Sequence, residues 1–241
     1  IVDKRAVFCI YSLKKSRVIH THNNALQSYS PIKNVYASIS YEKLNSLRPE
    51  YGYEKLTNTD FDNNEGIKIL KTFSGKCIHD IKLDKIISFL GLSDTVENSK
   101  LNHFQFSPNG NLVLFMYRTF RNNGKYSYLL VWDYKKNKLI KLMDDRVVSH
   151  YSWIDDSQII VWGRVKNQTG YHTVNIGEKS NLLKFNNPLL LGDGHPSVCN
   201  NNKTILTDTY PDKARVSSLF LLNTAKGEEV KIAQLKQPWK F

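Results

Sequence analysis

The sequence predicts an all-β protein, a β-propeller of about four full blades plus a partial one, within a larger ring of about seven blades. Three observations lead there. Histidines recur at one place in a repeat: His103 in Asn-His-Phe-Gln-Phe-Ser-Pro-Asn-Gly-Asn, His150 in Ser-His-Tyr-Ser-Trp-Ile-Asp-Asp-Ser-Gln, and His195 in Gly-His-Pro-Ser-Val-Cys-Asn-Asn-Asn-Lys. They stand 47 and 45 residues apart, the length of one blade of short strands. After each comes an alternating stretch, a polar turn and an apolar run, namely Leu112–Phe115, Ile159–Trp162 and Ile205–Leu206.

The elements follow in order. Val7–Tyr11, Val35–Tyr41, Ile67–Thr72, Tyr126–Trp132 and Leu219–Leu222 are rich in β-branched and aromatic residues and bounded by polar turns, as strands require. Four segments share one hairpin plan, an apolar strand running into an Asp, Asn or Ser turn and a second strand: those beginning at Phe8, Ile67, Leu130 and Phe220. Aligned, they give one propeller domain over residues 1–241, with a partial blade at 1–22 and blades near 25–82, 101–143, 149–186 and 194–233. The second blade is lengthened by an insertion, Tyr41–Asn64. Ile81–Lys100 holds the one expected short helix, a connector, with Leu83, Ile86, Ile87 and Leu90 at helical spacing. Tyr126, Tyr128, Trp132, Trp153 and Trp162 alternate within strands and are expected to pack between blades.

Composition narrows the function classes. With 41% hydrophobic residues the chain can build a substantial core. It has no apolar run long enough to span a membrane. Cys9, Cys77 and Cys199 are distant and odd in number, so neither a disulfide scaffold nor a Cys-x-x-Cys metal motif is expected. The chain opens on Ile1 without a signal segment, which fits a trimmed product of a longer protein whose missing part, or a partner, completes the partial blade. The net charge of +12 favours a polyanion: acidic polysaccharide, nucleic acid or an anionic surface. Scattered lysines (Lys135, Lys136, Lys138, Lys141), without a basic stripe or a nucleic-acid motif, argue against nucleic acid and also suit a merely soluble surface.

In a propeller, the loop entering each first strand and the loop joining the second and third strands open on one rim. That geometry gathers His103, His150 and His195, with Arg118 and Arg121 (loop 117–125), Arg164 (163–171), Tyr210 and Arg215 (208–215), and Arg48, Tyr51 and Tyr53 from the insertion. Arginine forks hold carboxylate or sulfate, and tyrosine faces stack on sugar rings. A histidine at a strand start can also simply bond a backbone carbonyl, and Asp193-Gly194, Asp208 and Asp212 look like turn chemistry. His20, His22 and His79 are expected at the surface; His172 adjoins a rim loop.

Three segments carry a resemblance: Asn102-His-Phe-Gln-Phe-Ser-Pro-Asn-Gly, Val148-Ser-His-Tyr-Ser-Trp, and Asp193-Gly-His-Pro-Ser with Thr207-Asp-Thr-Tyr-Pro-Asp-Lys. Spread over residues 100–225, they resemble the propeller-type polysaccharide lyases, the ulvan and oligogalacturonate lyases, and related propellers of bacterial polysaccharide gene clusters. A weaker echo is Arg48-Pro-Glu-Tyr-Gly-Tyr. The resemblance implies β-elimination at a uronic acid, with a base for the C5 proton, neutralisation of the carboxylate and an acid for the leaving oxygen. It implies His103 and His150 as base and neutraliser, Arg118 or Arg164 as carboxylate partner, Tyr210 as acid, and His195 as a position for a divalent metal, zinc or manganese. Two departures stand out: Tyr117 where relatives often carry histidine, and no further blade with a Cys-x-x-His-like segment. The expectation is an acidic-polysaccharide-binding propeller that acts as a lyase, periplasmic or secreted in that case. The alternative is a non-catalytic scaffold for protein or glycan.

Overall fold

A strand covered on both faces must be apolar on both, and its sequence then loses the alternation of a half-exposed strand. Leu112–Arg121 and Gly124–Asp133 show this: almost every residue from Val113 to Thr119 and from Ser127 to Trp132 is buried. The computed structural model describes residues 6–49, 56, 61–122, 124–178, 180–184, 188–199 and 203–238. The chain forms two compact units, Ile1–Lys141 and Leu142–Phe241.

The first unit opens with a hairpin of β1 (Phe8–Ser12) and β2 (Arg17–His22). A four-stranded antiparallel sheet follows, β3 (Leu26–Ser30), β4 (Val35–Ser38), β5 (Ile67–Lys71) and β6 (Cys77–Ile81), with α1 (Tyr41–Leu47) inserted after β4. After α2 (Leu83–Phe89) come β7 (Ser99–Phe106), β8 (Leu112–Arg121), β9 (Gly124–Asp133) and β10 (Lys138–Asp145), whose last residues pass into the second unit. The second unit holds β11 (Tyr151–Trp153), β12 (Gln158–Val165), β13 (Gln168–Asn175) and β14 (Ser180–Leu182) in one sheet. A second sheet holds β15 (Ser197–Val198), β16 (Thr204–Asp208), β17 (Val216–Asn223) and β18 (Glu228–Lys236). In all four sheets sequence neighbours are spatial neighbours, the meander of a propeller blade. The all-β propeller reading stands.

Sheet faces make the cores. In the first unit Ile67, Ile69, Val113, Phe115, Leu130 and Trp132 pack with Leu83 and Ile86 of α2. In the second, Ile160 and Tyr171 of one sheet meet Ile205, Phe220 and Leu222 of the next. Trp132, Tyr128 and Trp153 are buried as their alternation predicts.

The insertion departs from expectation. The strand expected to reach Tyr41 stops at Ser38, because Ser40 caps a helix: its hydroxyl accepts the Lys43 N–H at 3.1 Å. Among the described residues two short α-helices therefore occur where one helix was expected. The Lys43 ammonium is buried and donates to the carbonyls of Asn63 and Val96, tying the insertion to the segment before β7. Burial pushes that amine down to about 8, against the opposing charges of Glu97 and Asp62. The connector helix is also shorter than Ile81–Lys100 allows: Gly91 at φ +64° ends it, with the Leu92 N–H returning to the Ile87 carbonyl at 3.2 Å.

The Ser107-Pro-Asn-Gly turn shows why its glycine is needed. Gly110 has φ +70°, and a Cβ there would stand 2.1 Å from Ser30 Oγ and 2.8 Å from Lys33 Cγ. Its carbonyl accepts the buried Tyr134 hydroxyl at 2.7 Å. Gly110→Ala is expected to cost about 1–3 kcal/mol, seen as a lower urea midpoint. An unchanged midpoint would mean that the turn shifts without cost.

Candidate functional site

In the second unit the chain runs into β11 through Ser149 and His150, and into β15 through Asp193, Gly194 and His195. The first approach is fixed by backbone pairing: Ser149 N–H donates to Trp162 O at 3.0 Å, and Trp162 N–H to His150 O at 2.9 Å. The second is fixed by the Asp208 carboxylate, which accepts the His195 backbone N–H at 2.7 Å. Beneath it, Tyr171 and Thr207 share a buried hydroxyl–hydroxyl bond of 2.7 Å. Gly194 rests directly on this floor; a Cβ there would lie 2.0 Å from Asp208 O and 2.7 Å from Tyr171 Oη.

Each imidazole then meets a carboxylate at Nδ1. Asp193 Oδ1 lies 3.2 Å from His150 Nδ1, while Asp193 Oδ2 accepts the Ser149 hydroxyl at 2.6 Å. Asp208 holds His195 Nδ1 with both oxygens, at 2.9 and 3.1 Å. Burial opposes ionisation of Asp193, but the bonds from His150, Ser149 and the Gly194 N–H outweigh it and hold its carboxyl below the usual range. The two rings lie 4.0 Å apart between centroids, tilted by 45°, with Tyr210 at 5.6 Å from His195 and 6.3 Å from His150. His195 and Tyr210 are open to solvent, with 54% of the His195 side chain and 55% of Tyr210 exposed.

This geometry decides the tautomer. A carboxylate at Nδ1 takes that N–H, so the ring lone pair sits at Nε2, where it can accept a proton or bind a ligand. Two such pairs interlock through three consecutive residues: Asp193 serves His150, and His195 is served by Asp208. Asp193, Asp208 and Ser149 were not among the residues expected at the site. The signal was present in Asp193-Gly-His, a carboxylate two residues before an imidazole, but a tight turn explains it equally well. Asp212 is the turn residue it looks like, accepting the Val216 N–H at 2.9 Å.

The other expected residues fare differently. His103 lies inside β7, in a bulge between Asn102 and Gln105 and with φ +58°, rather than before its strand. A bulge re-aims side chains locally. Arg118 and Arg121 belong to β8, because that strand runs on through the expected loop and pairs with β9, Arg118 opposite Ser127 and Arg121 opposite Gly124. Arg118 is buried and directs a guanidinium N–H to Met116 Sδ at 3.1 Å. Arg121 grips Asp94 with two bonds, 2.8 and 3.0 Å, and lies 4.6 Å from the centre of the Tyr126 ring. Tyr117, also expected in that loop, is buried and bonded to Ser99 and Asp94.

Arg164 stands in β12 opposite Thr169, since the turn there is reduced to Lys166–Asn167. Arg215 has φ +63° and donates to the Pro238 carbonyl, so it fastens the segment after β18. Arg48 closes α1, its N–H bonded to the Leu44 carbonyl at 2.9 Å. Tyr51 and Tyr53 lie outside the described residues. His172 is buried within β13 and bonded to the Gln168 carbonyl at 3.1 Å, a structural histidine rather than a rim group. His22, expected at the surface, is half-buried, with Nε2 at 2.9 Å from the Thr72 carbonyl.

Among the described residues no group of three or more His, Cys, Asp or Glu could hold a divalent cation, while a carboxylate at Nδ1 leaves each imidazole its Nε2 as a single ligand atom.

No protein-family profile matches the chain, and no curated protein matches it in sequence. Solved structures resemble it in fold. TolB from Acinetobacter baumannii aligns with 95% of this chain and 49% of its own, at TM-score 0.53 and 12% identity. An oligogalacturonate lyase in complex with manganese aligns over 89% and 53%, at TM-score 0.51 and 13% identity. An uncharacterised protein from Listeria monocytogenes aligns over 86% and 52%, at TM-score 0.51 and 13% identity. The chain thus spans about half the length of these structures, and the likeness is one of fold.

Two outcomes follow from the site. Gly194→Ala is expected to displace Asp193 and His195 together and cost about 1–3 kcal/mol; NMR signals of both His150 and His195 should move while those of His20 stay. Burial holds the His172 imidazole below its ordinary value, against bonds to the Gln168 and Gly163 carbonyls. The unfolded chain therefore takes up this proton more readily near about pH 6.5. His172 contributes no pH dependence well above that value and an increasing loss of stability below it. His172→Phe should flatten this part of a melting-temperature profile; an unchanged slope would exclude the group.

Proposed function

We propose that the second unit's histidine pair is the reaction centre of a propeller that binds acidic polysaccharide and cleaves it by β-elimination at a uronic acid. The observation that carries this reading is the pair of carboxylate-backed imidazoles 4.0 Å apart, beside a solvent-open tyrosine. His150, oriented by Asp193, takes the C5 proton at Nε2. The electron pair left behind forms the C4–C5 double bond as the C4–O4 bond breaks. Tyr210 returns a proton to the departing O4. His195, positioned by Asp208, faces the uronate carboxylate as the partner that offsets the charge holding the C5 proton in place. The net charge of +12 favours the approach of such a polymer. No step is routed through a metal.

A second reading, a scaffold that binds glycan or protein without turnover, is favoured by one observation. Arg121, expected to grip substrate, is already neutralised by Asp94.

The test is a panel of uronate-containing polysaccharides incubated with the whole chain, with and without added zinc or manganese, following ultraviolet absorbance of the unsaturated product. A rise is expected. His150→Ala and Asp193→Asn should each lower it by about 100-fold or more with the fold intact, and His195→Ala should do the same. Full activity in both histidine variants removes them from the mechanism. The absence of a rise with every polymer leaves the scaffold reading. His103→Ala, run in parallel, decides whether the third histidine of the repeat takes part.

A further inference from the structure

We propose that the hairpin of β1 and β2 is a membrane-surface anchor, a finger that seats its apolar tip among the headgroups of an anionic lipid surface. The Phe8 ring packs 4.8 Å from Tyr36, beside the end of β4. The His22 ring bonds the Thr72 carbonyl, and His20 lies against Phe73, at the turn joining β5 and β6. From there β1 runs on to Ser12 and the chain turns at Leu13–Ser16, so the finger projects past that turn by roughly 10–15 Å at about 3.3 Å per residue.

The tip is built rather than frayed. Ser16 adopts φ +47° and its N–H bonds the Leu13 carbonyl at 3.3 Å, while the Lys15 N–H bonds Ser12 Oγ at 3.2 Å. This turn holds Leu13 at the apex, 87% exposed, with Tyr11, Val18 and Ile19 exposed on the strands behind it. At the base of the finger, where His20 meets Phe73, the β3–β4 and β5–β6 turns lie at one end of the neighbouring sheet and carry exposed Ile32 and Phe73. Water-exposed side chains of this size at three neighbouring turn tips are costly unless something apolar receives them.

Charge identifies the receiver. From Lys4 to Tyr41 the sequence contains no Asp or Glu and six Lys or Arg. Lys14, Lys15 and Arg17 ring the apex, and Lys71 and Lys76 flank the Phe73 turn, all exposed. A protruding apolar tip inside a collar of cations matches an acyl–headgroup boundary under negative phosphates. A nucleic acid would use the cations but has no place for Leu13. The anchor is independent of the reaction proposed for the second unit.

The experiment is co-flotation of the whole chain with phosphatidylcholine vesicles, with and without phosphatidylserine. Binding is expected only with phosphatidylserine, weakening as salt rises. The Lys14→Glu/Lys15→Glu variant should lose about fivefold or more in affinity per cation. Lys85→Glu/Lys166→Glu, an equal change of charge elsewhere, should keep near-parent binding. Leu13→Ser should weaken binding by about tenfold. In Leu13→Trp the added emission should shift to the blue on phosphatidylserine vesicles. Failure to bind at low salt overturns the proposal, as do equal losses in the two charge variants. Normal binding by Leu13→Ser, with no blue shift in Leu13→Trp, would show attraction to any polyanion and also overturns it.

Discussion

The architecture rests on one constraint, that a sheet sandwiched on both sides must offer apolar surface on both faces while its edges meet hydrogen bonds within the same meander. β8 and β9 satisfy it over most of their length, with Val113 and Leu114, or Leu129 and Leu130, buried on opposite faces of one strand. Specificity then has to come from the ends of strands, where chain direction reverses and polar groups can be placed. The turn and entry segments accordingly hold the features that are not packing: the Gly110 contact, the Asp193-Gly-His run and the β1–β2 tip.

At the histidine pair, electrostatics and packing act together. An imidazole alone is indifferent between its two nitrogens, and rotation about its side-chain bonds would blur any direction of proton transfer. Two carboxylates remove that freedom, each by accepting at Nδ1, and the Tyr171–Thr207 bond supplies a rigid base under the loop that carries them. Asp193 is the more demanding partner because it is partly withdrawn from water; it stays ionised through the bonds from His150 and Ser149. Asp208 is the more exposed of the two carboxylates.

Much of this was legible in the sequence. The spacing of His103, His150 and His195 together with the shared hairpin plan points to blades, and the sheets follow that plan. The rings of His150 and His195, which the repeat puts at equivalent positions, lie 4.0 Å apart, whereas His103, the third member, sits in a bulge inside β7. The rest was hidden for physical reasons. Asp193 and Asp208 are common turn residues, and only the ring positions reveal that their oxygens face imidazoles. Arg118 and Arg121 read as loop residues because Arg-Thr-Phe-Arg-Asn-Asn-Gly is polar, yet β8 continues through them by pairing with β9. Tyr41 looked like the end of a strand because capping by Ser40 leaves little mark on hydropathy.

The interlocked pairs also bear on how such a centre can change over generations. Asp193 and His195 are joined through a single glycine, yet each belongs to a different acid–base couple. Inserting or deleting one residue between them would unseat both couples at once, whereas the same event in the turn at Lys166–Asn167 would alter one hairpin. Duplicating the blade that His150 enters would copy that histidine without Asp193, which stands at the entry of the next sheet, whereas His195 and Asp208 belong to one sheet and would travel together. The centre is thus a junction trait, inherited with the order of its blades rather than with any one of them.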